Sequence, residues 1–366
     1  MQNQPKKPNK TNQPGAPQEQ AAKKPVKKST IVLIVCIIIA VAVLVAVIAF
    51  GAIKGDKEEP KKETKETTVE EVVYGDEELG IDATVDEQLK DYRNIALFGI
   101  DAKDFESEMG HRSDGMIIVS INEKTDDVKM FSIYRDTYLK IDDEHGLDKV
   151  NHAYAYHGMK GSIKAINQNL DLNIREGISF TWKAVGDLVN NLGGVDVDVL
   201  ESERVFMNKQ LSAENQITSA GMQTLNGDQA VLYSRIRYDS VRGDYRRNER
   251  MQIVMKAAFD KAKTMDTSKL IKIMDETLKE TSTNMSRNRM TDTLMEISKL
   301  EISTNTCWPY DTTGWMYNSI FYGIPVTLNS NVSQLHGEFF GQQDYQPTQF
   351  VQDVSNEIES KSGYSE

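Results

Sequence analysis

Two cysteines in 366 residues are too few for a disulfide framework, since Cys36 lies inside an apolar run and Cys307 far downstream. The chain also lacks a Walker loop, a dinucleotide-binding glycine motif, a Ser-His-Asp order, any His/Cys pattern at metal-ligand spacing and any internal repeat. These absences remove the common nucleotide-binding, hydrolase and structural-zinc classes. Positive charge is short as well, with a formal net charge of -12. Residues 1–30 hold seven lysines against the single acid Glu19, and residues 31–53 hold no charge, so the remainder stands at -18. So acidic a body excludes general nucleic-acid binding, which needs a broad basic surface.

Arginine is the scarcer base, with 13 in the chain, and six of them fall in one stretch: Arg235, Arg237, Arg242, Arg246, Arg247 and Arg250. A guanidinium offers a rigid fork of donors that matches phosphate oxygens in pairs and keeps its charge when partly buried. This cluster asks for an anion such as pyrophosphate or a phosphodiester. The competing reading is a helix face laced with ion pairs, because Asp239, Asp244 and Glu249 are interleaved.

The chain order supplies the setting. Residues 1–30 are polar and too poor in apolar side chains to fold. Ile31 to Ile53 is uncharged and long enough to cross a bilayer core of about 30 Å as a helix. The lysines before it favour a cytoplasmic N-terminus, which puts the body outside the cytoplasm. A charged linker, 54–90, follows. The body is expected over 91–355, with a flexible end at 356–366.

Apolar runs predict strands at 94–101, 115–122 and 127–134, the last two as a hairpin. Helices are expected at 150–169, 182–192 and 226–235, and from Asp244 as N-cap to Lys263, with two more near 268–281 and 290–299. Strands are expected at 174–180 and 195–199. Residues 200–224 read as irregular, and the segment past Asn305 has no assignment. The pattern is that of an α/β layered domain. Asp101, Asp114, Arg135 and Asp136 stand at the ends of the first three strands, where α/β sheets bind ligands. Carboxylates there suit Mg²⁺, a hard cation that keeps several waters. His152 is weighed as a base and set aside as structural.

The ordered set of motifs resembles the LytR-CpsA-Psr family. The pieces are Asn94-Ile-Ala-Leu-Phe-Gly-Ile-Asp101, Arg112-Ser-Asp114, Ser132-Ile-Tyr-Arg-Asp-Thr137, Lys149-Val-Asn-His-Ala-Tyr154, Leu192-Gly-Gly-Val-Asp-Val197, Leu225-Asn-Gly-Asp-Gln-Ala230, Tyr233-Ser-Arg-Ile-Arg237 and Gly243-Asp-Tyr-Arg-Arg-Asn-Glu-Arg250. The resemblance implies an α/β/α sandwich around a central mixed sheet, with an apolar pocket for a polyprenyl tail and a single transmembrane helix before it. It implies a membrane-anchored, extracytoplasmic phosphotransferase of a Gram-positive-type envelope. Such an enzyme moves an anionic glycopolymer, teichoic acid or capsule, from undecaprenyl pyrophosphate to peptidoglycan.

Carried over by motif, Asp101 and Asp114 are the metal carboxylates for Mg²⁺, or Mn²⁺ in its place. Arg135, Arg235, Arg237 and Arg247 hold the pyrophosphate, Asp244 stands among them, and Arg112, Arg250 and Gln252 extend the anion site. Asp136 or Asp101 takes the acceptor's proton. Apolar residues of the helices at 150–190 and 250–275 line the tail pocket. Met251 stands where the family usually has Gln. A lipid-pyrophosphate sensor without turnover and a polyprenyl pyrophosphatase are the two rival readings.

Overall fold

The structure, a computed structural model, describes residues 71–102, 110–236, 243–262, 281–286 and 302–365, with a few single positions between 264 and 290. The expected transmembrane run at 31–53 and tail at 1–30 lie outside the described residues. Among the described residues no helix is long and apolar enough to cross a membrane.

The centre is a six-stranded mixed sheet in the order β10-β3-β2-β1-β6-β9. Its strands are β1 (Tyr92–Ile100), β2 (Ser113–Asn122), β3 (Asp127–Ile133), β6 (Glu176–Thr181), β9 (Thr281–Thr283) and β10 (Ile302–Trp308). β1, β2 and β3 run antiparallel in turn, while β6 lies parallel to β1 and β10 parallel to β3. Alternate residues feed opposite faces, as pleating requires. Ile95 and Leu97 point to one core, and Ala96, Phe98 and Ile100 to the other. Because both faces are covered, these strands read as unbroken apolar runs in the sequence.

On the first face sit α3 (Trp182–Asn191), α5 (Gly227–Ser234) and α6 (Gly243–Ala262), with the small β7–β8 ribbon (Val195–Val199 and Gly221–Leu225) and α4 (Glu201–Asn208). The second face carries α1 (Ala83–Gln88), α2 (His152–Leu170), α7 (Leu328–Phe340) and α8 (Gln349–Ser362). This is the α/β/α sandwich. Two further hairpins, β4–β5 (Tyr138–Asp142 and Gly146–Lys149) and β11–β12 (Thr312–Tyr317 and Ile320–Pro325), pair outside the main sheet.

Several sequence expectations change here. Residues 71–90 belong to the body, since Leu79 and Val85 are buried in the second core and Val72 N donates to Asn284 O at 3.0 Å. Residues 200–224 contain α4 and β8. α8 runs through 356–362 with Ile358 buried, so that stretch is helix. Asp244 falls inside the first turn of α6 rather than at its cap. A three-residue strand occupies 281–283, at the end of one expected helix, and most of 263–280 and 291–300 lies outside the described residues.

One contact controls how the first helical layer meets the site. A Cβ on Gly227 would fall 2.3 Å from Gly186 O and 2.7 Å from Asn190 Nδ2. α3 and α5 therefore approach backbone to backbone at Gly186 and Gly227. Gly227→Ala is expected to destabilise the body by about 1–3 kcal/mol through overpacking. Thermal unfolding of the variant beside Gly337→Ala, a glycine of α7 without a positive φ whose added carbon meets only Gln342 O at 3.9 Å, separates crowding at Gly227 from glycine loss in general.

Candidate active site

The site forms at one end of the sheet. β1 leaves it at Ile100 and β2 enters at Ser113, which are register partners. Asp101 N donates to Arg112 O at 3.0 Å, which holds the two strand ends together. β3 arrives at the same edge and passes into a turn, where Thr137 N donates to Tyr134 O at 3.0 Å and Thr137 Oγ1 to the same oxygen at 2.6 Å. Three more bonds pin this turn, from Val150 N to Thr137 O, from Asn151 N to Arg135 O and from Gly323 N to Asp136 O. The side chains of Arg135 and Asp136 are thus fixed by strands far apart in sequence.

Asp114 is the hub. It is only 7% exposed. Its Oδ1 accepts from Arg135 Nη1 at 2.8 Å, its Oδ2 faces Arg247 Nη1 at 3.4 Å, and its carbonyl accepts from Arg247 Nη2 at 3.1 Å. Arg247, on α6, is itself 2% exposed. Asp136 receives Lys149 Nζ at 2.8 Å and lies 3.5 Å from Arg135 Nε. Arg235, at the C-cap of α5, reaches Asp101 at 3.2 Å, with both side chains half exposed. Its guanidinium carbon lies 5.5 Å from the Trp182 ring centre. Four cationic side chains here face three carboxylates, and Arg112 adds an exposed fifth charge nearby.

Ser113 Oγ and Asn151 Oδ1 are buried at this edge and have no hydrogen-bond partner among the described residues. An unpaired buried polar atom costs roughly 1–3 kcal/mol. A water or a ligand oxygen at this edge would supply the missing partners.

A small apolar cavity of about 50 Å³ opens beside these charges. Gly99 and Gly115 leave its floor free of side chains, Phe180, Val185 and Leu188 form one wall, and Met251 and Val254 of α6 another. The lining comes from α3, α6 and the sheet, with Ser234 of α5 and Thr277. α2, expected to contribute, packs on the opposite face. Met251 meets the cavity with its thioether and adds apolar wall.

The structure brings Asp101, Asp114, Arg135, Asp136, Arg235 and Arg247 to one edge, as expected from the strand ends and the arginine cluster. It corrects Arg250. That residue is fully buried, donating from Nε to Glu203 Oε1 at 2.8 Å and from Nη1 to Ile236 O at 3.0 Å, and is committed to the interior instead of an anion. Arg237 and the side chains of Asp244 and Gln252 lie outside the described residues. His152 pairs with Asp148 at 2.7 Å, in keeping with a structural role.

Three contributors had no assignment in the sequence: Lys149, Trp182 and the β11–β12 hairpin. That hairpin, through Thr312, Gly314, Phe321 and Gly323, walls a second recess of about 110 Å³ against Arg135, Asp136 and Arg247. Its signal was available, in aromatic residues on both sides of Asn318-Ser319, a two-residue turn with both φ positive.

TagT of Bacillus subtilis, a polyisoprenyl-teichoic acid–peptidoglycan teichoic acid transferase, is 33% identical over 180 residues, 49% of this chain and 55% of that protein. TagU of Bacillus cereus, of the same description, is 31% identical over 200 residues, 54% of this chain and 62% of that protein. Biofilm regulatory protein A of Streptococcus mutans is 32% identical over 201 residues, 52% of this chain and 50% of that protein. The chain thus spans between half and two thirds of the length of these relatives. The solved structure of TagT bound to LIIa-WTA matches with a TM-score of 0.52 at 25% identity, covering 75% of this chain and 92% of that one. The LytR_cpsA_psr family matches residues 47–334, most of the sequence, and the chain belongs to the LytR-CpsA-Psr family.

Proposed function

We propose that the protein is a phosphotransferase that moves an anionic glycopolymer from a polyprenyl-pyrophosphate carrier to peptidoglycan. The observation that carries this reading is the apolar cavity opening beside an arginine cluster. An anionic headgroup joined to a long apolar tail is the ligand that satisfies both at once. The transferase names of TagT and TagU support the reaction class. The uncharged run at 31–53 supports a single-pass anchor with the body outside the cytoplasm.

Arg135, Arg235 and Arg247 hold the pyrophosphate, and Lys149 and Arg112 add charge at its rim. Asp101 and Asp114 offer oxygen-only donors at one sheet edge, a set that fits Mg²⁺ or Mn²⁺ with waters and phosphate oxygens completing the shell. Bound there, the cation would offset charge on the phosphates. Asp136, held by Lys149 and Arg135, takes the proton of the acceptor hydroxyl. The hydroxyl oxygen attacks the sugar-side phosphorus, the bond from that phosphorus to the bridging oxygen breaks, and polyprenyl phosphate leaves. Little covalent help is needed, because positioning and charge stabilisation supply most of the rate.

The test uses the full chain with a polyprenyl-pyrophosphate-linked saccharide and peptidoglycan fragments. Transfer to peptidoglycan that stops on chelation and returns with Mg²⁺ is the expected result. Phosphate release without transfer would replace the reading with a pyrophosphatase, and lipid binding without turnover with a sensor.

A further inference from the structure

Three of the chain's five histidines, His145, His152 and His157, gather around the β4–β5 hairpin, and two of them, His145 and His157, meet at its turn end, away from Lys149 and Asp136. Asp142 closes β4, and His145 follows in the turn before β5. His145 N donates to Asp142 Oδ1 at 2.6 Å, and this bond folds the ring back over the carboxylate. Its Nδ1 then lies 2.8 Å from Oδ2 and 3.0 Å from Oδ1. His157 comes from α2, on a separate element, and places Nε2 2.5 Å from the same Oδ2. One ligand atom from each of the three residues lies within 4.8 Å of the others.

The backbone is shaped to bring His157 there. α2 breaks from helical geometry at Gly158, with φ 63° and ψ -159°, a region open to glycine and costly for other residues. Three residues on, a Cβ at Gly161 would lie 2.1 Å from His157 Cβ. His157 therefore packs against the bare Cα of Gly161, and any side chain at 161 displaces it. The rings are also braced. Tyr156 stacks on His145 with centres 3.9 Å apart and planes at 13°. Tyr156 OH donates to Asp148 Oδ2 at 3.1 Å, and that oxygen also pairs with His152 Nδ1. Outer partners of this kind fix the plane of a ligating imidazole.

Two ring nitrogens and one carboxylate, converging and open to water on the His157 side, form the donor set of a three-ligand zinc site with a free fourth position. Imidazole selects zinc, copper or nickel over magnesium. The set thus differs in kind from the all-oxygen pair Asp101 and Asp114.

We propose that Asp142, His145 and His157 bind a divalent transition metal of the zinc class and clamp the β4–β5 hairpin to α2. The proposal does not depend on the transferase reading. It joins two segments whose other ends, Lys149 and Asn151, pack against the Asp136 turn.

The test is a Zn²⁺ titration of the full chain, stripped with chelator, against a chromogenic competitor. One site per chain is expected, weakened about 100-fold or more by His145→Ala and by His157→Gln, since even outer-shell losses cost 10–100-fold. Gly161→Ala is expected to weaken it too, by moving His157. Asp114→Asn should leave the affinity within about twofold, because the loss of a distant, unshared group adds nothing to a local site. Co²⁺ in the same site is expected to give the intense visible bands of four-coordination. Zn²⁺ should raise the Tm of the wild type and not that of His157→Gln, whose partly exposed side chain makes misfolding a minor concern. Equal affinity in wild type, His145→Ala and His157→Gln, or binding lost only in Asp114→Asn, overturns the proposal.

Discussion

Arg135→Ala is expected to lower the proposed transfer by about 10²–10³-fold, the scale for removing one preorganised charge donor, and Arg235→Ala by about 10-fold. The difference follows from burial. Arg135 is bonded at 2.8 Å to a carboxylate that is nearly out of water, beside the equally buried Arg247. Charge there acts through a low local dielectric. Arg235 and Asp101 are each about half exposed, so solvent and salt screen what Arg235 offers. Removing Arg135 leaves Asp114 still held by Arg247 through its side chain and its carbonyl, so the sheet end keeps its fold. The variants are compared by initial rates of transfer at saturating acceptor, with thermal unfolding as the control on folding. Equal losses in the two variants would show that exposure does not rank these arginines. A second consequence concerns salt. The residual activity of Arg135→Ala rests more on screened charges, so it falls more steeply with ionic strength than the wild type's.

The site was legible where its residues stand at the ends of strands that read clearly. β1, β2 and β3 are covered on both faces, so they appear as continuous apolar runs, and the polar residues that end them stand out. That contrast located Asp101, Asp114 and Arg135 before any contact was known. The β4–β5 hairpin was not legible. Its strands are short and its turn, Asp142-Asp143-Glu144-His145, is charged, so no period shows. The His145 and His157 pairing was hidden for the same reason, since it depends on the backbone break at Gly158 and follows no ligand spacing. α4 failed differently. Its inward face carries Glu203 beside Met207, and a buried carboxylate breaks the apolar stripe that marks a helix. The residue that makes Glu203 tolerable is Arg250, 47 positions away. The cavity depended on tertiary packing: α2 carries Ile163, Ile166 and Leu170 against Leu188 alone in α3, so composition favours the wrong helix, and only the sheet's two faces decide which one lines it.

Arg250→Ala is the substitution expected to damage the fold most. The Arg250 and Glu203 side chains are each 1% exposed and meet at 2.8 Å. Taking two charges out of water is costly, and each is tolerable only with the other present. Removing the arginine takes this buried counter-charge away from Glu203, whose carboxylate still accepts from Leu200 N at 2.9 Å. Breaking a buried pair from one side costs about 3–5 kcal/mol. For a domain of this size that lowers Tm by about 6–15 °C. The double replacement Arg250→Met with Glu203→Leu removes both charges and is expected to recover most of the loss, since apolar pairs of similar volume substitute well for buried ions. A Tm for Arg250→Ala equal to the wild type's would refute the assignment. The same variant bears on how activity is read. Arg250 Nη1 also holds Ile236 O, one residue after Arg235, so its loss frees the segment that aims Arg235. Activity lost in Arg250→Ala therefore reports a loosened scaffold, and activity regained in the double variant, with no arginine at 250, would separate that effect from any direct contact with an anion.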